Sequence, residues 1–354
     1  EYAFHTPWLS RSDEVELETA LQRAVDLEPT FGPYYIHLLA RLIAAGDEEA
    51  FRSRLSQYAA NAADPEAVEP WRLYWDFFRG SGEEMARAEE LFRTTRAGEA
   101  LFLSLVAFLS DDLSPRMLVV HDMMPPDVVN SFPGYFRGHD VAMGRSPMPP
   151  KPGESVPWLS WTRWHLLVER ELEVPAELLD RIPTPDDALH AALVAAASGD
   201  RGTRDAALTR IGPGQLEART PLLGFYFGAA TLAQAERTTE ALLRLRAGDA
   251  LGAEALLDTV VQDSAYDAVA LLLSGDAKAA QGDWDEAVRL WRTLLPTGYR
   301  PHVRLRLGRG HDALGDTDQA VANYRAFLTM MSDPDPAVRP LVDEARAAVV
   351  RLGG

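Results

Sequence analysis

Small and bulky side chains recur at a fixed interval near the carboxyl end of the chain. Two sets of positions carry the pattern: Gly275, Gly282–Asp283, Ala287 and Trp291, then Gly308, Gly315–Asp316, Ala320 and Tyr324. Each member of the second set follows its counterpart by 33 residues, and Gly248–Asp249, Ala253 and Leu257 precede the first set by 34. A period of this length is typical of a repeated supersecondary unit that stacks on its neighbours.

The spacing within one unit predicts two antiparallel helices joined by a tight turn. Glycine adopts the left-handed conformation that ends a helix, and the following Asp accepts backbone N–H groups at the start of the next helix. We therefore expect Gly315 to end a first helix and Asp316 or Asp318 to begin the second. Tyr324 and Phe327 are then expected to be buried against the next pair, because one pair alone cannot cover its apolar face.

The amino-terminal part of the chain shows the same pattern less regularly. A whole unit is predicted from Leu38, Leu39, Leu42, Gly46–Asp47, Phe51, Leu55 and Tyr58. Leu17, Leu21 and Ala24 indicate a preceding second helix, and the short stretch before them suggests that its first helix is missing through truncation. A degenerate third unit is predicted from Pro65, Trp71, Tyr74, Gly80, Ala88 and Phe92.

The middle of the chain lacks the repeat pattern and is rich in proline. Nine of the 24 prolines lie between Pro115 and Pro157, which prevents long helices across most of this span. Helical periodicity returns over 158–172, 175–181, 185–198 and 204–210, and two further helices are predicted over 221–234 and 236–247. The resulting division is 1–112 (amino-terminal repeats), 113–157 (proline-rich irregular insert), 158–220 (atypical helices) and 221–354 (carboxyl-terminal repeats).

Composition narrows the possible partners. The formal charge of −18 argues against nucleic acid and against anionic membranes, since both require clustered basic side chains, and makes basic protein segments easier partners. The absence of cysteine excludes disulfides and Cys-type zinc sites. No apolar run approaches the ~20 residues that span a bilayer. Only Lys151 and Lys278 are lysines, which is typical of a GC-rich bacterial genome.

Two runs resemble tetratricopeptide repeats: Gly282-Asp283-Trp284-Asp285-Glu286-Ala287 and Gly315-Asp316-Thr317-Asp318-Gln319-Ala320. The stretch from Tyr324 to Ala345 is similar to the C-terminal repeat region of large bacterial serine/threonine protein kinases and transcriptional regulators. The resemblance implies an all-α, tetratricopeptide-like helical-hairpin solenoid that serves as a sensory or docking module. The chain has no kinase motifs, and we expect it to be neither an enzyme nor a holder of cofactors or metals.

The same resemblance implies that a partner lies in a concave groove formed by the first helices. Counted from Gly308, the groove-facing positions are His302, Leu305, Arg306, Arg309 and Asp312. This set departs from the Lys, Asn and Arg clamp with which some members of the family hold a terminal carboxylate. Trp158 and Trp161 continue with Trp164 at a spacing of three, which indicates either core or an aromatic binding platform. The candidate partner contacts are therefore His302, Arg306, Arg309, Asp312, Trp158 and Trp161.

Other interpretations stay open. His121–Asp122 and His139–Asp140 could supply a metal or small-molecule sensor site in the central insert, whereas His311 occupies a packing position of the repeat. A stack that exposes an apolar end could also self-associate. The preferred hypothesis is a non-catalytic scaffold that binds a protein partner or missing domains of its own polypeptide. Either the cytoplasm or the extracytoplasmic side of a bacterial envelope would suit such a module.

Overall fold

The described part of the chain is entirely helices and the turns between them. The computed structural model describes residues 14–62, 68–96, 102–103, 106, 110, 113, 115–123, 141, 144–145, 158–168, 184–212, 231–263, 267–295, 299–331 and 334–354. These residues contain no β-strand. The chain divides into two compact units, Glu1–Phe132 and Pro133–Gly354. Each unit is a stack of paired helices, which confirms the predicted all-α, tetratricopeptide-like fold class.

The amino-terminal unit consists of helices that pack in pairs. Its helices are α1 Glu14–Leu27, α2 Gly32–Ala45, α3 Glu48–Asn61, α4 Glu69–Arg79, α5 Gly82–Thr94 and α6 Arg116–Met123. Helices α2 and α3 pack as a pair, as do α4 and α5, and α1 packs on α2. Gly46 ends α2 with φ 73°, and the Asp47 carboxylate accepts the Ala50 N–H at 2.9 Å. The predicted Gly-Asp turn is confirmed.

Aromatic side chains fill the core of this unit. The rings of Tyr35 and Tyr58 stack within the α2–α3 pair at 4.7 Å, and those of Tyr74 and Phe92 stack within the α4–α5 pair at 5.8 Å. Arg79, at the end of α4, donates hydrogen bonds to the carbonyl oxygens of Ile43 and Ala44. Since the last carbonyls of a helix have no partner within it, Arg79 caps the end of α2 and joins successive pairs.

The carboxyl-terminal unit contains four helix pairs and two flanking helices among its described residues. Its helices are α7 Trp158–Val168, α8 Pro185–Ala197, α9 Arg201–Leu208, α10 Leu232–Arg246, α11 Ala250–Asp263, α12 Ala268–Ala280, α13 Trp284–Arg292, α14 Arg300–Leu314, α15 Thr317–Met330 and α16 Arg339–Arg351. The pairs are α8–α9, α10–α11, α12–α13 and α14–α15. The second helix of each pair contacts the first helix of the next, and α16 packs on α15.

The repeated glycines lie where two helices approach most closely. A Cβ atom added to Gly275 would lie 2.2 Å from Nε1 of Trp291, and one added to Gly308 would lie 2.7 Å from the ring of Tyr324. Gly315 ends α14 with φ 76°, and Asp316 accepts the Gln319 N–H at the start of α15. Tyr324 and Phe327 are buried in a cluster that includes Val342 and Ala345 of α16. The predicted packing of these repeats is confirmed.

One predicted helix boundary is wrong. The periodicity suggested a break between Gln234 and Glu236, whereas α10 runs without interruption from Leu232 to Arg246. Thr231 begins the helix by accepting the Gln234 N–H, and Gln234 accepts the Thr231 N–H in return. This reciprocal cap could have been recognised, because Thr followed three residues later by Gln marks a helix start. Residues 221–230 of the helix predicted over 221–234 lie outside the described residues, as does the helix predicted over 175–181.

Most of the proline-rich segment 113–157 likewise lies outside the described residues. Of this segment the structure describes 113, 115–123, 141 and 144–145, and α6 is a helix of eight residues within it. In the carboxyl-terminal unit, the Gly144 carbonyl accepts the Asp335 N–H at 2.9 Å. The division into repeats, insert and atypical helices stays a prediction.

Candidate functional site

The first helices of the carboxyl-terminal pairs form one surface, which we call the inner face. It is made by α8, α10, α12 and α14, of which α8 contacts α10 and α10 contacts α12. Residues on three of these helices surround a depression of about 340 Å³, which we call the inner cleft. The inner cleft is the candidate functional site, because a concave surface can enclose a partner's side chain on several sides.

The large apolar side chains that line the inner cleft, which we call its floor, come from the two consecutive pairs α10–α11 and α12–α13. They are Leu242, Leu245, Leu273, Trp284 and Trp291. Arg246 of α10 and two arginines of α14, Arg306 and Arg309, also line it. The cleft is therefore amphipathic, with leucine and tryptophan side chains beside three guanidinium groups, which we call its rim.

Two of these arginines are held by carboxylates on neighbouring helices. Nε and Nη2 of Arg306 donate to the two carboxylate oxygens of Asp276 on α12, at 2.6 and 2.9 Å. Arg309 makes the same two-bond contact with Glu344 of α16, at 2.7 and 2.8 Å. Paired hydrogen bonds of this kind fix the orientation of the guanidinium plane. The rim is therefore rigid and its charge is largely compensated within the protein.

The six candidate contact residues do not share one location in the structure. Arg306 and Arg309 line the inner cleft, and Asp312 is paired with Arg351 of α16. His302 differs from the expectation of a groove-facing side chain, because it is fully buried with its ring 5.2 Å from that of Tyr299. A side chain without exposed surface gives a partner nothing to contact. The side chains of Trp158 and Trp161 lie outside the described residues. Partner binding by the set stays a prediction.

Replacing Arg306 by glutamine should cost about 2 kcal/mol of unfolding free energy, whereas Arg309→Gln should cost less than about 1 kcal/mol. The Arg306–Asp276 side chains are 6% and 23% exposed, and the Arg309–Glu344 side chains are 27% and 41% exposed. The deeper pair loses more, since the remaining carboxylate is less hydrated. Urea unfolding of the two variants tests this comparison. Equal costs would show that burial does not decide the strength of these pairs.

The histidine sites weighed from the sequence are only partly described. His311 is buried on α14, with Nδ1 3.3 Å from the Asp316 carboxylate. Burial lowers the pKa of its imidazole, although Asp316 opposes that shift. The side chain of His121 and all of His139 lie outside the described residues. Among the residues that are described, no three His, Asp or Glu side chains converge as a metal site would require, and no helix has the length and apolar character to cross a bilayer.

A buried carboxyl group that sequence reasoning missed lies at the start of α12. Oδ1 of Asp267 accepts the Ala270 N–H at 2.9 Å, whereas Oδ2 has no hydrogen-bond partner among the described atoms. The side chain is completely buried, and this burial raises the pKa of its carboxyl group from 3.8 to about 6. The α12 helix that supplies part of the inner cleft is therefore capped by a buried carboxyl group with a raised pKa.

Helix α7 also reaches the inner cleft, which the sequence did not predict. Leu166 of α7 lines the cleft together with Leu242 and Leu273. The same helix packs against α8 and α14, the outermost first helices of the four pairs. The candidate site thus combines the inner face with a helix that precedes all four pairs in the chain.

Comparison with known proteins agrees with this geometry. Residues 269–295, which cover α12 and α13 and include Gly275, Leu273 and Asp276, match the family model of the tetratricopeptide repeat. No curated protein and no solved structure matches the chain. The family match, together with the paired helices and their glycine contacts, supports a tetratricopeptide repeat at these residues within an all-α, tetratricopeptide-like fold.

Proposed function

We propose that this chain is a non-catalytic interaction module that binds a protein partner in the inner cleft of its carboxyl-terminal unit. The observation that supports this most directly is the cleft itself, whose apolar floor is built by helices of two consecutive pairs. Tetratricopeptide repeats generally mediate interactions between proteins and are typically not catalytic. Buried apolar anchors surrounded by polar groups are also where binding energy concentrates in interfaces.

The chemistry of the cleft favours an apolar segment of the partner. Arg306 and Arg309 already have carboxylate partners, so they contribute shape and orientation more than uncompensated charge. Of the floor residues, Leu245 and Trp284 are half-buried, whereas Leu242 and Leu273 are buried. The two half-buried side chains gain from contact with another protein, at roughly 25 cal/mol per Å² of apolar area removed from water. We therefore propose that affinity comes from aliphatic or aromatic side chains of the partner, with polar groups aligned along the rim.

The narrower role of a docking module for a signalling protein is also a proposal. Its support is the resemblance of the stretch from Tyr324 to Ala345 to repeats of bacterial serine/threonine kinases and regulators. In that role the partner is either a separate protein or another domain of the same polypeptide. The self-assembling alternative has less support at α16, because Leu341, Val342, Ala345 and Ala348 are buried there while Asp343 and Arg346 face solvent.

A photo-crosslinking amino acid at Ala280 should attach the protein to its partner, whereas the same amino acid at Ala322 should not. Both alanines are exposed on helices, but only Ala280 lines the inner cleft. Crosslinking in cells followed by mass spectrometry identifies the partner. The purified partner should then bind the wild-type chain and an Ala322→Arg variant equally, and an Ala280→Arg variant at least 10-fold more weakly.

Equal crosslinking from the two positions would contradict the proposed use of the cleft. So would a partner whose affinity is unchanged by Ala280→Arg, since that substitution adds a long charged side chain to the cleft.

A further inference from the structure

The carboxyl-terminal half of α7 is enclosed on all sides. Trp164, His165, Leu166, Leu167 and Val168 are consecutive, and none is more than 4% exposed. Successive residues of a helix point about 100° apart, so five in a row cover its whole circumference. By contrast, α16 buries one side and exposes the other. Helix α7 therefore lies within a groove and not at the edge of a stack.

Helices of the inner face contribute to the surroundings of α7 on two opposite sides. On one side, the Thr162 hydroxyl lies 3.2 Å from Nδ1 of His190 on α8 and donates to the His190 carbonyl at 3.3 Å. On the same side, four residues further along the helix, Leu166 adjoins the floor of the inner cleft. On the opposite side, Trp164, Leu167 and Val168 belong to a buried cluster with Leu305 of α14 and with Tyr324 and Phe327 of α15. Helix α7 thus extends along the inner face from α8 to α14.

The contacts resemble those of a bound peptide more than those of a repeat. Helix α7 has 11 residues, which makes it marginal as an isolated helix in water. Its order therefore depends on the surface that surrounds it. It also carries Thr162 and His165 into that surface, where burying polar groups gains little because water can satisfy them equally well. A short helix held in this way can be exchanged for another helix of similar shape.

We infer that α7 is an internal ligand of the inner face, and that this face accepts an apolar helix of the partner in its place. The side chains that such a helix needs are those that α7 presents: an aromatic residue, followed two to four positions later by branched aliphatic residues, as in Trp164, Leu166, Leu167 and Val168. This inference rests on the proposed function and specifies its partner. The open inner cleft is then the part of the inner face that α7 leaves uncovered.

A fluorescent peptide with the sequence of residues 154–173 tests the inference against the full chain. Leu167 is fully buried, so Leu167→Asp in the chain should expel α7 and free the surface. The wild-type peptide should bind this variant at least 10-fold more tightly than it binds the wild-type chain. A peptide that carries the same Leu→Asp change should bind neither. Adding Leu305→Asp to the Leu167→Asp chain should abolish binding, because it alters the wall and not the ligand.

A Leu167→Asp chain that keeps its helical circular dichroism but does not bind the wild-type peptide would overturn the inference. If that variant fails to fold, hydrogen exchange on the wild-type chain decides. The amides of α7 should then exchange by local opening, faster than those of α14 and α15. Exchange of all three helices at one common rate would make α7 a fixed part of the core. Either negative result leaves the crosslinking test at Ala280 intact, so the two proposals can fail separately.

Discussion

Replacing Gly275 by alanine should lower the free energy of unfolding of the carboxyl-terminal unit by about 3 kcal/mol. The new Cβ would lie 2.2 Å from Nε1 and 2.5 Å from Cδ1 of Trp291, distances that no real Cβ contact allows. The indole cannot easily move aside, because it is buried and its Nε1 donates to the Leu272 carbonyl at 3.2 Å. Helices α12 and α13 must therefore separate, and this cost exceeds the roughly 1 kcal/mol that alanine gains over glycine within a helix.

Gly202→Ala is the matched control for this prediction. Gly202 also lies in a helix of the same unit, but a Cβ added there meets only a carboxylate oxygen of Asp200 at an ordinary 3.6 Å. The control should be neutral or stabilising by up to about 1 kcal/mol. Gly308→Ala should behave like Gly275→Ala, since a Cβ added there meets Tyr324 of the same helix pair, α14–α15. Urea unfolding measures all three, and a Gly275→Ala chain as stable as wild type would refute the close approach.

Asp267→Asn should stabilise the protein by about 3 kcal/mol at pH 7.5, and this gain should disappear below about pH 4. The folded-state pKa of Asp267 is about 6, above the 3.8 of an exposed carboxyl group. Between these values the folded state holds a proton that the unfolded state has released. Wild-type stability contributed by this group is therefore complete below pH 4 and is lost as the pH rises through 6. Asparagine keeps the capping oxygen but never acquires the charge.

The quantity to measure is the difference in unfolding free energy between Asp267→Asn and wild type at several pH values. The difference matters because other carboxyls act in the opposite direction: hydrogen bonds from Arg201 and Lys278 lower the pKa values of Glu240 and Glu254. Asp283→Asn controls for the exchange of one capping residue for another, since Asp283 caps α13 with a half-exposed side chain. A difference that does not vary between pH 4 and 7.5 would contradict the assigned burial.

The turns of this fold could be predicted because their chemistry is local. Gly46–Asp47 and Gly315–Asp316 each combine a residue that tolerates positive φ with a residue that caps a helix, and both signals lie in adjacent positions. The glycine-to-aromatic contacts could be predicted for the same reason, since Gly275 and Trp291 belong to one hairpin. Short-range spacing therefore fixed the pairs and their order.

The candidate site was less predictable, since it depends on contacts between distant parts of the chain. Counting from Gly308 placed His302 on the groove, yet α14 buries residues around most of its circumference, including His302, Val303 and Leu305. No local pattern indicates that α7 packs on α14, because Trp164 and Leu305 are far apart in the sequence. The same limit explains why the sequence indicated Arg306 as a contact for a binding protein but did not indicate its ion pair with Asp276.

The position of α7 also bears on the mechanics of the carboxyl-terminal unit. In a linear array each helix pair touches only its neighbours. Small rotations at successive junctions therefore add up, and the array as a whole is flexible. Helix α7 contacts both α8 and α14, which are separated by two intervening pairs, and so links the first and the last of the four pairs directly. While α7 is bound, it holds these two pairs at a fixed distance from each other. A protein that displaces α7 would therefore change the elasticity of the array as well as occupy the inner face.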